Sequence, residues 1–141
     1  MRIGVLIAVI AAVVGCGASS AGTGAAPTTE LRISFFEDGQ VAATGADRSW
    51  TLRCAPAGGT LPRRVAACQK LDQMRNPFAP LRKDLQCTQI YGGPERAVIT
   101  GTYEGRRVWV LLAQRNGCEI ARWRKLAFLV GGIAPGASDN S

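Results

Sequence analysis

Five cysteines are the residues of this chain best placed to do chemistry: Cys54, Cys68, Cys87 and Cys118 in its body, and Cys16 apart from them near its start. There is no histidine. A Ser-His-Asp or Cys-His arrangement therefore cannot be assembled, nor a histidine-ligated metal site. Four thiolates could in principle hold zinc, but no two have the close Cys-x₂₋₄-Cys spacing of knuckles and ribbons. In an oxidising compartment such cysteines form disulfides, and four of them allow three connectivities. Proximity favours Cys54 with Cys68 and Cys87 with Cys118, and loop closure assigns the shorter bridge about 3 kcal/mol and the longer one slightly more. The ten acidic residues are scattered, and Glu37-Asp38 falls at a turn, where carboxylates face water, so no general acid and base pair stands out. No glycine-rich stretch follows a strand and opens a helix as a phosphate-binding loop does. Neither a metal nor a cofactor is expected, and the chain is read as a non-enzyme.

Export is what the cysteine pairing requires, and the start of the chain provides for it. Arg2 leads an apolar run from Ile3 to Gly15 that is too short to span a bilayer and suits a cleaved leader. The ending Val13-Val14-Gly15-Cys16 resembles a bacterial lipobox, in which the cysteine thiol receives a diacylglyceryl group and becomes the new first residue after cleavage. This predicts a lipid anchor at Cys16; the alternative is an ordinary leader cut within residues 18–21. The expected location is the outer face of the cell membrane, or the medium if Cys16 carries no lipid. The organisation is then a lipoprotein signal peptide over 1–15, a flexible tether over 16–29, a folded domain over 30–130 and a disordered tail over 131–141. The uncharged Gly, Ala, Ser, Thr and Pro stretch of 17–29 cannot bury enough apolar area to fold. As a coil it would hold the domain on the order of 20 Å from its anchor.

One domain of this size has a modest core and gains from staples. Leu31-Arg32-Ile33-Ser34-Phe35-Phe36 alternates at period two, and Trp50-Thr51-Leu52-Arg53-Cys54 follows as a second strand. Thr60 is placed to cap a helix whose first turn accepts Pro62. Val65, Cys68, Leu71 and Met74 then recur every three residues, which puts Cys68 on the buried face towards Cys54. Asn76-Pro77 and Ala79-Pro80 end that helix, and a loop runs on to Pro94. Residues 97–103 and 106–113 read as a hairpin turned at Glu104-Gly105. Asn116-Gly117 turns the chain into a short helix with Ile120 and Trp123 on one face, and Phe128-Leu129-Val130 reads as a final strand. The sum is α+β.

With Arg2 lost in the leader, 16 basic residues remain against 10 acids. Trp109 and Trp123 alternate with the charges beside them, which suits amphipathic elements better than a base-stacking platform, so nucleic acid is not an expected partner. Anionic lipid headgroups near the anchor are the more natural counterpart.

The body also resembles a family. Thr51-Leu52-Arg53-Cys54-Ala55-Pro56, Gly59-Thr60, Pro62, Ala66-Ala67-Cys68, Cys87-Thr88-Gln89-Ile90-Tyr91 with Pro94, Val98, Thr100-Gly101, Gly105-Arg106-Arg107-Val108 and Cys118-Glu119 fall in the order and approximate spacing of the subtilisin inhibitors of actinomycetes. The resemblance spans about 31–129. It implies an α+β fold with a five-stranded antiparallel sheet, two helices and two disulfides paired as proximity favours, commonly a homodimer through the sheet. It also implies a serine protease partner, blocked by an exposed substrate-like loop. Residue by residue, the bond presented would be Gln89-Ile90, with Gln89 in the primary pocket, Gln86, Cys87 and Thr88 before it and Tyr91 after it. Two features depart from the pattern. Gly92-Gly93-Pro94 is one residue longer than the usual link, which predicts a softer loop, and Gln86 and Gln89 stand where relatives present large apolar residues. The competing reading is a membrane-anchored, non-inhibitory binding module on the same scaffold.

Overall fold

The computed structural model describes residues 28–41 and 45–131. The leader, Cys16, most of the tether and nearly all of the tail lie outside these residues. Four antiparallel strands, β1 (Thr29–Phe36), β2 (Arg48–Cys54), β3 (Arg96–Tyr103) and β4 (Arg106–Leu112), form one sheet in the order β2-β1-β3-β4. Helices α1 (Arg64–Asp72) and α2 (Gly117–Leu126) cover one face, α1 on β2 and α2 on β4.

Period-two alternation sends Leu31, Ile33, Phe35, Leu52, Ile99, Val110 and Leu112 into a core closed by Leu61, Leu71, Trp123 and Leu126. Trp123 is fully buried and meets Phe35 edge to face at 6.3 Å. The β3–β4 hairpin turns through Glu104 and Gly105, both at positive φ (47° and 76°), the backbone a two-residue turn needs to match the twist of its strands.

Three expectations are corrected. The sheet has four strands among the described residues, not five: Ala127–Leu129 is a 3-10 turn continuing from α2, and it buries Leu129 as a plug in the core instead of pairing. Thr60 does not cap α1. Its hydroxyl accepts the Thr51 amide at 3.0 Å, and α1 begins after Arg63, whose left-handed φ of 54° makes no side-chain cap. Val65 is 58% exposed: the buried face of α1 is Ala67, Cys68 and Leu71, spaced i, i+1 and i+4, and Leu61 ahead of the helix fills the core.

Candidate functional site

Cys54 is bonded to Cys68 and Cys87 to Cys118. The first ties β2 to α1. The second ties the long connection after α1 to the first turn of α2, and beside it residues 85–93 run without regular secondary structure between Leu85 and the entry to β3. Cys87 is half-buried, while Gln86, Thr88, Gln89, Ile90 and Tyr91 are exposed, the last two at 55% and 66%. Two large apolar side chains on a segment that hides neither is an arrangement normally reserved for a partner.

The segment is held from both sides of Gln89-Ile90. On the amino side, the Gly117 amide donates to the Thr88 carbonyl at 2.9 Å, one residue from the Cys87 bridge. On the carboxyl side, the Gly92 amide donates to the Gln114 carbonyl at 2.8 Å. Gln89, Ile90 and Tyr91 lie between these ties, and the Gln89 side chain folds back to donate to the Cys87 carbonyl at 3.2 Å. Both ties and the disulfide reach one short support, Gln114 to Cys118, where β4 passes into α2.

The support is itself fixed. Asn116 caps α2 by accepting the Glu119 amide at 3.0 Å. Glu119 accepts from the Arg115 amide at 3.0 Å and pairs with the Arg115 guanidinium at 2.6 Å. The Arg115 side chain, aided by its backbone N–H, holds the Glu119 carboxyl below the usual carboxylate range against the opposing effect of burial. Gln114 is fully buried, and its side-chain amide donates to Glu95 at 3.1 Å. Arg96 donates to the Pro94 carbonyl at 2.9 Å and to that of Glu95 at 3.2 Å, fixing the exit from the loop.

The glycines owe their places to close approach. A Cβ on Gly92 would stand 2.9 Å from Gln114 Oε1 and 3.1 Å from Ile120 Cδ1. One on Gly117 would overlap the Thr88 hydroxyl. Gly92 is thus tied and packed, and Gly93 carries the positive φ (151°) that lets the chain turn away towards β3.

Sequence reasoning missed Gln114, Gly117 and Glu119 as supporting residues. The available signal was a glutamine directly after the apolar run 108–113 and an Asn-x-x-Glu box two residues later. Among the described residues no three His, Cys, Asp or Glu side chains gather to hold a metal ion.

Comparison with known proteins agrees in one direction. A family model described as subtilisin inhibitor-like matches residues 26–115. Subtilisin inhibitor-like protein 5 of Streptomyces fradiae is 38% identical over 76 residues, 52% of this chain and 70% of that protein. Subtilisin inhibitor-like protein 1 of Streptomyces cacaoi is 32% identical over 82 residues, 55% of this chain and 74% of that protein. Among solved structures, Streptomyces caespitosus sermetstatin in complex with Bacillus licheniformis subtilisin aligns over 74% of this chain and 96% of its own, at 24% identity and a TM-score of 0.49.

Proposed function

The chain belongs to the subtilisin inhibitor-like family, and from that premise we propose that it is a reversible, substrate-like inhibitor of extracellular serine proteases, with Gln89-Ile90 as the bond it presents. The observation that carries the reading is the bracketing of that exposed bond by Thr88 to Gly117 on one side and Gly92 to Gln114 on the other.

An extended exposed segment can enter a protease cleft and add main-chain hydrogen bonds along it. Because the two ties already order the segment, little conformational entropy is lost on binding. The protease serine would then attack the Gln89 carbonyl carbon, and the Ile90 nitrogen, protonated by the protease, would leave as an amine. In an ordinary substrate that amine diffuses away. Here Gly92 keeps it on the same support that holds Thr88, so it stays beside the acyl group and the reverse attack re-forms the peptide bond. Cleavage divides the domain into β1, β2 and α1 on one piece and β3, β4 and α2 on the other. Of the two disulfides only Cys87–Cys118 crosses that division, so the pieces remain one molecule.

The non-inhibitory module is not favoured by any feature of the site, and family membership argues for a non-enzyme. Export and a lipid anchor at Cys16 belong to the proposal too: Cys16→Ser should release the protein from membranes and abolish the lipid mass increment, and a variant that still sediments with membranes while the wild type shows no such increment refutes the anchor. The inhibitory reading is tested by titrating serine proteases with distinct primary pockets. It expects a stoichiometric endpoint with at least one of them.

A further inference from the structure

Gln114 is a polar side chain where the fold would accept an apolar one. It follows Leu112 and Ala113 into the interior and is fully buried. Its amide nitrogen donates to Glu95 Oε2 at 3.1 Å, while its Oε1 has no hydrogen-bond partner among the described residues. The carboxylate fixes which way the amide points, since only the nitrogen can donate to it. Burying a half-satisfied amide costs stability that a leucine in its place would not. What the pair touches accounts for it. A Cβ on Gly92 would stand 2.9 Å from Gln114 Oε1 and 3.1 Å from Gln114 Cβ, and Glu95 Oε2, the oxygen that accepts the amide, fills the place of a Cβ on Gly93. Beyond them the Pro94 carbonyl accepts from Arg96 at 2.9 Å and lies where a Cβ on Gly39 would be.

We propose that Gln114 and Glu95 act together as a positioning pair for the leaving amine: they brace the Gly92-Gly93 dipeptide and so set the balance between re-forming and losing the Gln89-Ile90 bond. This rests on the inhibitory reading of the loop. In the intact domain the segment is closed at both ends, and the tie from the Gly92 amide to the Gln114 carbonyl meets little opposition. Once Gln89-Ile90 is cut, the new amine sits on a free end that leads straight into two adjacent glycines, which have more backbone freedom than any other residues. One backbone hydrogen bond does not remove that freedom. The side chains of Gln114 and Glu95 occupy the space into which Gly92 and Gly93 would otherwise turn, and the hydrogen bond between them makes the two a single wall. The pair therefore acts chiefly on the nicked form. In the reverse step the Ile90 amine attacks the Gln89 acyl carbon, the bond to the protease serine breaks, and the amine's proton passes through the protease to the serine oxygen. That attack needs the amine held within reach and aligned, which is what the wall supplies.

The test uses the full chain with Cys16→Ser, which removes any acyl attachment, and two measurements. Hydrogen exchange at the Gly92 amide, followed by NMR on the protein alone, reads the brace. The nicked-to-intact ratio at equilibrium with an inhibited serine protease reads its consequence. Gln114→Met fills the space and loses the donor, Glu95→Ala loses the acceptor, and Glu95→Gln keeps a carbonyl oxygen in its place. The first two should each speed Gly92 exchange and raise the ratio about fivefold, the scale of glycine's extra backbone freedom, whereas Glu95→Gln should stay close to the wild type. Gln114→Met combined with Glu95→Ala should go no further than either alone, because the two side chains work as a unit. Thermal unfolding follows the fold; if Gln114→Met does not fold, Glu95→Ala against Glu95→Gln decides. An unchanged ratio in Glu95→Ala, an equal rise in Glu95→Gln, or additive effects overturn the proposal and leave the inhibitory loop standing. A wild type that forms no equilibrium mixture overturns the inhibitory reading itself, and the role of the pair with it.

Discussion

The Gly117 amide holds the Thr88 carbonyl at 2.9 Å, and a side chain at residue 117 would meet the Thr88 hydroxyl, which would have to turn away. One glycine thus serves as the first residue of α2 and as the tie for the residue preceding Gln89. The placement of the loop and the start of the helix are a single structural event.

Gly117→Ala should turn the Thr88 side chain and strain the tie beside it. A loss of about 1–2 kcal/mol from binding weakens inhibition roughly 5- to 30-fold. Inhibition constants read it, with thermal unfolding as the control for a global effect; an unchanged constant would mean that the tie does not position the loop.

Gly92→Ala acts on the other side. The new methyl meets Gln114 and the Ile120 side chain at once, neither of which can withdraw within a packed core. The carboxyl half of the loop should shift, and cleavage at Gln89-Ile90 should speed up as the amine of Ile90 is held less well. Mass spectrometry of protease mixtures over hours follows the cleaved fraction, and a variant as long-lived as the wild type contradicts the role given to Gly92.

The primary specificity should follow residue 89. Gln89→Lys is expected to redirect the domain to trypsin-like enzymes, whose pocket carries a buried acid. Gln89→Met should favour subtilisin-like ones by removing an amide whose burial without a partner costs about 1–3 kcal/mol. If both variants keep the wild-type ranking of proteases, residue 89 does not enter the pocket.

Glu119 links the support to pH. Its carboxyl is held below the usual range, first by the Arg115 side-chain hydrogen bond. The stability this supplies is complete above the unfolded carboxyl's value of about 4.3 and is lost as pH falls through the lower folded value. Urea midpoints between about pH 6 and pH 3 should fall more steeply for the wild type than for Glu119→Gln, which titrates nothing at that position. Parallel slopes would remove Glu119 from the support.

Much of this was legible in the chain. The alternation of Leu31, Ile33 and Phe35, the Glu104-Gly105 turn and the Asn116-Gly117 break each act over a few residues, so local pattern sufficed. Thr60 misled because its hydroxyl has two uses, and Thr51 of β2, nine residues away, outcompetes the helix terminus. Residues 127–129 are apolar and β-like in isolation, yet they follow α2 without a break and fill the core as a turn. The support from Gln114 to Cys118 was hidden for another reason. Its ties to Thr88 and Gly92 are made by backbone groups, which leave no mark on residue type except the glycines that allow the approach.

The central claim is most directly tested by mass-spectrometric mapping of the equilibrium mixture formed with an inhibited serine protease. The account predicts one nick, between Gln89 and Ile90, in a molecule kept whole by Cys87–Cys118, with intact and nicked forms both present and each convertible into the other by the protease. In a Cys87→Ser, Cys118→Ser variant the same nick should go to completion and inhibition should lapse. A nick elsewhere, progressive degradation of the wild type, or no inhibition of any protease in a broad panel at micromolar concentration would contradict it.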